Sequence, residues 1–172
     1  MMYLRPYCSA DAAHIHSWID SEYTLRIWSG PRHPTYPFPA EELAAVYDSY
    51  AGGGVNFPVV AWDEGGLAGA LTLRRIAEGH VRLCNVIVPP ARRGQGLGKQ
   101  LIALALRAAF ADMGAETVDL GVFSGNAIAL GCYRAAGFRP LGEETTEYHT
   151  FAGRTWPVLR MAITKADWQK TL

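Results

Sequence analysis

The sequence has few cysteines and no excess of charge of either sign. Its three cysteines, Cys8, Cys84 and Cys132, are an odd number and form no CxxC pair, so neither a disulfide framework nor a zinc site is expected. Sixteen Lys and Arg residues balance sixteen Asp and Glu residues, whereas a nucleic-acid-binding domain usually carries a basic excess. We therefore expect reduced thiols, no bound metal and no nucleic-acid partner.

Long apolar runs are missing as well. Residues 1–6 contain no apolar core of signal-peptide length, and no stretch approaches the roughly 18 apolar residues of a membrane-spanning helix. These absences predict a soluble, cytoplasmic protein without a membrane partner. A length of 172 residues suffices to bury one sizeable core, so we predict a single domain that spans residues 1–172.

The spacing of apolar residues predicts a chain of strands and helices. Strands are expected at 2–5, 57–62, 67–76, 81–88, 117–123, 138–141 and 158–163, and helices at 9–20, 40–50, 96–113 and 126–136. Residues 23–39 are rich in proline, glycine and aromatics and are expected to form a loop. The alternation of strands and helices in the second half indicates an α/β or α+β domain with a mixed sheet.

A glycine-rich segment joins the predicted strand at 81–88 to the long helix after it. It reads Arg93-Gly94-Gln95-Gly96-Leu97-Gly98-Lys99. A strand, a glycine turn and a helix N terminus form a general anion-binding arrangement. A P-loop would need Ser or Thr where Gln100 stands, and a dinucleotide fingerprint would need GxGxxG rather than GxGxG. Two interpretations remain, a pyrophosphate-binding Arg-x-x-Gly-x-Gly pattern and a turn that only caps the helix.

A second motif lies on the predicted helix at 126–136. It reads Asn126-x-x-Ala129-x-x-x-Tyr133-x-x-x-Gly137-Phe138. The two motifs in this order resemble the GCN5-related N-acetyltransferase (GNAT) family, whose acyl-CoA signature is Arg-x-x-Gly-x-Gly. The motifs and the strands around them carry the resemblance over residues 67–138, and the order of elements carries it elsewhere. It implies a three-layer α+β (α/β) fold, with a mixed, mostly antiparallel sheet of six to seven strands flanked by about four helices.

The resemblance also implies acetyl-CoA as the cofactor and coenzyme A as the product. The loop would hold the pyrophosphate, and the backbone of the strand before it would pair with the pantetheine arm and polarise the thioester carbonyl. Tyr133 would be the catalytic residue that protonates the leaving thiolate. The structural alternatives are strand core for 86–88, an N-cap for Asn126 and a core aromatic for Tyr133. The implied cofactor-binding residues are Val86, Ile87, Val88, Arg93, Gly94, Gln95, Gly96, Leu97, Gly98, Lys99, Asn126 and Tyr133.

The general base is the gap in this pattern. Many members of the family carry a Glu in the strand before the loop, and Arg82 stands at that place here. Only about one lysine-like amine in a thousand is neutral at pH 7, whereas an α-amine with a pKa near 8 needs less help. The candidate bases are Glu22, Glu78, His80, Asp119 and His149.

The acceptor site is implied only by position. The family builds it from the first two helices, their loop and the last strands, which here points to residues 23–39 and 143–156. Both segments are rich in aromatic residues. The candidate acceptor-binding residues are Trp28, Tyr36, Asn85 and Asp119.

Two functions are consistent with these residues. The first is an acetyl-CoA-dependent N-acetyltransferase that moves an acetyl group directly to a primary amine of a small molecule or peptide, as a monomer or homodimer. The second, favoured by the missing Glu, is a catalytically inactive module that binds acyl-CoA as a sensor.

Overall fold

An eight-stranded sheet organises the protein, as seen in a computed structural model that describes all 172 residues. The strands are β1 (Tyr3–Pro6), β2 (Asn56–Asp63), β3 (Gly66–Ala77), β4 (His80–Ile87), β5 (Thr117–Phe123), β6 (Arg139–Pro140), β7 (Glu147–Phe151) and β8 (Arg154–Thr164). Their order is β1-β2-β3-β4-β5-β8-β6, and β7 also pairs with β8. The pair β4–β5 is parallel, and every other pair is antiparallel.

Six α-helices cover the sheet. They are α1 (Ala12–Ser17), α2 (Glu22–Ser29), α3 (Ala40–Asp48), α4 (Leu97–Arg107), α5 (Ala127–Ala135) and α6 (Lys165–Gln169). A π-helical turn at Ala108–Asp112 extends α4. None of these helices is both long enough and apolar enough to cross a membrane.

Two apolar cores lie on opposite faces of the sheet. On one side, which we call the α4 face, Leu101 and Ile102 of α4 pack against Leu120 and Met161 of the sheet. On the other side, the α2 face, helices α1 to α3 form a separate cluster around fully buried residues such as Leu25. Because both faces are covered, successive side chains of the central strands point into different cores.

The predicted fold class is confirmed, but the element counts differ. The sheet has eight strands rather than six to seven, and six helices flank it rather than about four. The strand missed from sequence is β7, which forms a hairpin with β8 through Ala152 and Gly153, both with positive φ. The predicted strand at 138–141 is reduced to the two residues of β6.

The prediction of a loop throughout 23–39 was wrong at its start. Helix α2 occupies residues 22–29, because the Ser21 hydroxyl caps it by accepting a hydrogen bond from the Thr24 N–H at 3.1 Å. Leu25 and Trp28, three residues apart, are both buried against the α2 face. The stripe is short because the helix has only eight residues, and the prolines, glycines and aromatics that follow it favoured a loop.

Candidate active site

The parallel strands β4 and β5 separate partway along their length. Their pairing stops at Leu83 and Leu120, although β4 continues to Ile87 and β5 to Phe123. Beyond Leu83, the backbone N–H and C=O groups of β4 that face β5 therefore have no strand partner. We call the gap between the diverging strand ends the wedge. Its open strand edge can pair with an extended ligand that carries amide groups.

A β-bulge shapes the β4 side of the wedge. Thr72 of β3 pairs with Cys84, and Ala70 pairs with Ile87, so β4 has one residue more than β3 between these pairs. Asn85 within it has a φ of 54°, an uncommon value for a residue other than glycine. A bulge of this kind changes the direction in which the following backbone groups point.

The three residues predicted to bind the pantetheine arm follow this bulge. The side chains of Val86 and Val88 pack against the core of the α4 face, and that of Ile87 belongs to the core of the α2 face. Their side chains are therefore part of the strand core, which was the alternative to a binding role. Only their backbone groups remain for a ligand.

Side chains from α2 and the segment after it hold the bulge in place. The Trp28 Nε1–H donates to the Asn85 carbonyl oxygen at 2.9 Å, and the Asn85 side-chain amide donates to the Trp28 carbonyl oxygen at 3.0 Å. Arg32 donates to the Asn85 side-chain oxygen at 3.2 Å. Trp28 and Asn85, which the sequence suggested as acceptor-binding residues, thus bind each other and fix α2 against β4.

The glycine-rich loop ends in a helix N terminus without a side-chain cap. Gly96 is the N-cap of α4 with a φ of 77°, and no side chain accepts from the first turn. The first N–H groups of α4 are therefore free of helical partners. Gly94 also has a positive φ, and a Cβ at either glycine would have no neighbour within 4 Å. This exposed cradle fits an anion such as a pyrophosphate.

The rest of the loop divides into an anchor and an exposed rim. Leu97 is buried in the core of the α4 face. Gly98 brings α4 close to α5, since a Cβ there would lie 3.7 Å from the Cys132 Sγ. The exposed side chains of the rim are Arg93, Gln95 and Lys99.

Asn126 stands at the start of α5 as its N-cap. Its side-chain oxygen accepts a hydrogen bond from the Ala129 N–H at 3.2 Å. Asn126 therefore serves as an N-cap, which was the alternative to a cofactor-binding role. A contact between Asn126 and a cofactor would have to come from its remaining amide hydrogens.

Tyr133 lies on the buried side of α5 and is 8% exposed. Its ring packs edge-on against Phe138, with the centroids 5.9 Å apart. Burial raises the pKa of Tyr133 above its usual value, and the neighbouring Cys132 and Cys84 add to this effect. Tyr133 belongs to the core of the α4 face, against which Val86 of β4 also packs. No hydrogen bond within the protein engages the phenol hydroxyl.

Arg82, at the place where the family often has a Glu, neutralises a buried carboxylate. It donates to both oxygens of Asp119 at 2.8 Å, and the His80 Nε2 lies 3.1 Å from the same group. Burial opposes the ionisation of Asp119, but the hydrogen bonds and charge of Arg82, with His80, lower its pKa overall. The Asp119 carboxylate is thus engaged by both Arg82 and His80, which disfavours Asp119 and His80 as bases.

Two further candidate bases are also placed unfavourably. The Glu22 carboxylate lies 3.3 Å from the Arg26 guanidinium within α2. Glu78 lies in the turn between β3 and β4, at the opposite end of β4 from the wedge. No group of three or more His, Cys, Asp or Glu side chains is placed to hold a metal ion.

His149 lies on the α2 face next to the end of β5. Its ring packs edge-on against Phe123 with centroids 5.7 Å apart, and its Cε1 would lie 3.1 Å from a Cβ at Gly30. Its Nδ1 is buried without a hydrogen-bond partner, and its Nε2 lies 3.7 Å from Glu147. Of the five candidate bases, His149 alone borders the wedge without a close ion-pair partner.

Tyr36 is the one candidate acceptor residue that the structure does not bring to the wedge. It lies in the loop between α2 and α3 and is 37% exposed. The residues that sequence reasoning missed are Tyr23, Phe123 and Phe151, which surround Trp156 or His149. The alternation of Glu147, His149 and Phe151 before a two-residue turn was the available signal, because it is typical of a hairpin strand.

Comparisons with known proteins agree with this geometry. The model of the acetyltransferase (GNAT) family matches residues 13–138. A curated relative, the uncharacterized N-acetyltransferase YvbK of Bacillus subtilis (strain 168), is 31% identical over 100 residues, which cover 58% of this chain and 63% of the relative. The matched region thus spans less than two thirds of that relative's length.

Solved structures with the same fold include polyamine-modifying enzymes. The spermidine N-acetyltransferase from Vibrio cholerae in complex with CoA and spermine superimposes with a TM-score of 0.84 at 23% identity, covering 98% of both chains. The spermidine/spermine N-acetyltransferase SpeG from the same organism, in complex with manganese ions, gives 0.77 at 22% identity and covers 99% of this chain and 96% of the other. At these identities, the likeness establishes the fold. Because the family model matches most of this chain, the chain belongs to the GNAT family of acetyltransferases, which use acetyl-CoA.

Proposed function

We propose that this protein transfers the acetyl group of acetyl-CoA directly to the primary amine of a small molecule or peptide. One observation carries the proposal: the chain has an uncapped helix N terminus at α4 and an unpaired strand edge at the wedge, and α5, which carries Tyr133, packs against α4. The first suits the pyrophosphate of the donor and the second suits its amide-containing arm. The family membership and the shared fold support the same activity.

The chain supplies three groups that act on the donor. The first N–H groups of α4, with Arg93 and Lys99 beside them, would hold the pyrophosphate. The backbone of Val86 to Val88 would bind the pantetheine arm, and an N–H in this segment would polarise the thioester carbonyl. The donor itself supplies an activated acyl group whose leaving atom is a sulfur.

Tyr133 is the proposed proton donor to that sulfur. A raised pKa keeps the phenol protonated throughout the neutral range, so its O–H is always available to the developing thiolate. Its hydroxyl has no competing partner in the protein. Because Tyr133 belongs to the core of the α4 face, against which Val86 at the wedge also packs, its O–H is proposed to stabilise the leaving group as the C–S bond breaks.

His149 is the proposed group that accepts the proton of the attacking amine, directly or through a water molecule. It borders the wedge at Phe123, and its Nδ1 is buried without a hydrogen-bond partner. The other four candidates are paired or lie elsewhere, as described above.

The function is tested with acetyl-CoA and a panel of primary amines that includes alkylamines, aromatic amines, polyamines and short peptides. We expect acetyl-CoA to raise the Tm and at least one amine to release free thiol. A raised Tm without thiol release from any amine would instead support the inactive acyl-CoA-binding module, which the replacement of Glu by Arg82 favours. If saturating acetyl-CoA left the Tm unchanged, both of these functions would be ruled out.

Two glycine variants distinguish a loss of phosphate binding from a general effect of backbone strain on the Kd of acetyl-CoA. We expect Gly96→Ala to weaken the Kd of acetyl-CoA by about tenfold, because a methyl group would stand where the phosphate approaches the chain. Gly54→Ala is the matched control, since Gly54 also has a positive φ and no neighbour within 4 Å of a Cβ, but lies between α3 and β2. Titration calorimetry gives both Kd values, and equal values for the two variants would contradict the loop assignment.

The role of His149 is tested by varying the basicity of the acceptor. We expect His149→Gln to lower kcat about tenfold for an amine with a pKa near 10, and to leave it nearly unchanged for one with a pKa near 7. An amine that is already neutral needs no base, whereas a structural defect would affect both acceptors alike. His14→Gln, on the exposed side of α1, is the control. An equal loss for both acceptors would remove His149 from the proton transfer.

A further inference from the structure

Five aromatic side chains form a continuous surface on the α2 face of the sheet. The ring of Trp156 lies 5.2 Å from Phe151 and 5.6 Å from Tyr23, and Phe123 lies 6.1 Å from Phe151 and 5.7 Å from His149. We call this set, Tyr23, Phe123, His149, Phe151 and Trp156, the aromatic wall. It joins helix α2 to strands β5, β7 and β8.

A ring of contacts connects this wall with the wedge. Phe123 is the last residue of β5, on one side of the wedge. The ring of His149 packs against both Phe123 and Gly30. Gly30 follows α2 and lies two residues after Trp28. Trp28 is hydrogen-bonded to Asn85 of the bulge, on the other side of the wedge. An amine that approaches the wedge across the α2 face therefore passes the aromatic wall.

The carboxylates beside the wall are already neutralised. Asp119 is bound by Arg82 at 2.8 Å, and Glu147 accepts from the Arg160 Nε at 3.2 Å. In α2, Glu22 lies 3.3 Å from the guanidinium of its neighbour Arg26. Each of the three already lies beside a guanidinium, which weakens its attraction for an additional ammonium group of a ligand.

This pairing of charges disfavours a polycationic acceptor. Spermidine carries charged nitrogens besides the one that would be acetylated, and each loses hydration on binding. Loss of hydration without a new partner is costly for an ammonium ion. Aromatic side chains, in contrast, favour a flat apolar group through offset or edge-on ring contacts, and the Arg154 guanidinium already lies over the Trp156 ring, 4.3 Å from its centroid.

We propose that the acceptor is a primary monoamine joined by a short alkyl chain to an aromatic ring, with the ring bound by the aromatic wall. This inference rests on the proposed function and specifies its acceptor. It would give this chain an acceptor different from the spermidine named for the Vibrio cholerae enzyme of the same fold.

The test compares kcat/KM for phenethylamine, propylamine and spermidine with the full-length protein and saturating acetyl-CoA. Phenethylamine should exceed each of the other two by about tenfold, the scale of a ring-to-ring contact. Equal or higher values for propylamine or spermidine would overturn the proposal, as would release only with an amine that has no ring. No release with any amine would contradict the proposed function instead.

Variants of the wall give a second measurement. Trp156→Leu should lower kcat/KM for phenethylamine about tenfold and leave the value for propylamine within about twofold. Tyr23→Leu, at a residue that is 41% exposed, should act in the same direction with less risk to folding. Trp62→Leu, on β2 far from the wall, is the matched control. A similar loss for both amines in the two wall variants would argue against ring recognition.

Discussion

Replacing Tyr133 with Phe should lower kcat about 100-fold while leaving the Kd of acetyl-CoA nearly unchanged. The substitution removes only the hydroxyl, which has no partner in the protein, and keeps the ring that packs against Phe138. The loss falls on kcat because the proton is needed when the C–S bond breaks and not when the donor binds. Thiol-release kinetics and titration calorimetry measure the two quantities.

Tyr47→Phe is the matched control for this experiment. Tyr47 of α3 is also buried, its hydroxyl has no hydrogen-bond partner, and burial raises its pKa in the same way. It lies under the α2 face among the residues of that core. An equal loss of kcat in both variants would indicate a general effect of removing a buried phenol, and an unchanged kcat for Tyr133→Phe would remove Tyr133 from the mechanism.

Replacing Asp119 with Asn should reduce the free energy of unfolding by about 2 kcal/mol at neutral pH, because Arg82 would be left largely buried without its counter-charge. The guanidinium is 25% exposed, and this access to water keeps the loss below that of a fully buried pair. Urea denaturation of the wild type and the variant at pH 7 measures the difference.

The same pair predicts how the difference changes with pH. The folded-state pKa of Asp119 is lowered from its usual value, so the carboxylate stabilises the fold at any pH above its unfolded pKa of about 4. That contribution disappears as the pH falls through the lowered folded pKa. The unfolding free energies of the wild type and the variant should therefore converge on acidification. A difference that stays constant down to pH 3 would contradict the ion-pair explanation.

Asp167→Asn supplies the matched control for Asp119. Asp167 is bound by Lys170 at 2.8 Å, and its pKa is also lowered, first by the hydrogen bond from Lys170. Both partners are more than half exposed, so water screens the pair and its removal should hardly change the free energy of unfolding. If Asp119→Asn were equally mild at pH 7, burial would not explain the importance of the Arg82–Asp119 pair.

Local sequence patterns were sufficient to predict the elements that carry the proposed donor site. The loop at 93–99 and the motif from Asn126 to Phe138 are each continuous in sequence, and their elements form close to the predicted bounds. The spacing of apolar residues predicts such segments, because a helix that buries one face repeats its apolar residues every three or four positions. The placement of Tyr133 on the buried face of α5 follows from that spacing.

The acceptor side depends on contacts between residues far apart in sequence. Trp28 and Asn85 are 57 positions apart, and Arg82 and Asp119 are 37 positions apart. Nothing in the local sequence around Asn85 indicates that a tryptophan from α2 will form hydrogen bonds with it. The departure from the family at Arg82 was visible, but its physical meaning came only from the parallel register that sets it opposite Asp119.

Through the reciprocal hydrogen bonds between Trp28 and Asn85, we expect the binding of the two proposed substrates to be thermodynamically linked. The bulge belongs to the strand that would line the donor, while Trp28 belongs to the helix beside the acceptor. A donor that orders the bulge lowers the entropy that remains to be lost when the acceptor orders α2. By linkage, the acceptor then tightens donor binding by the same factor as the donor tightens acceptor binding. We therefore expect the ternary complex to form cooperatively because of two hydrogen bonds within the protein.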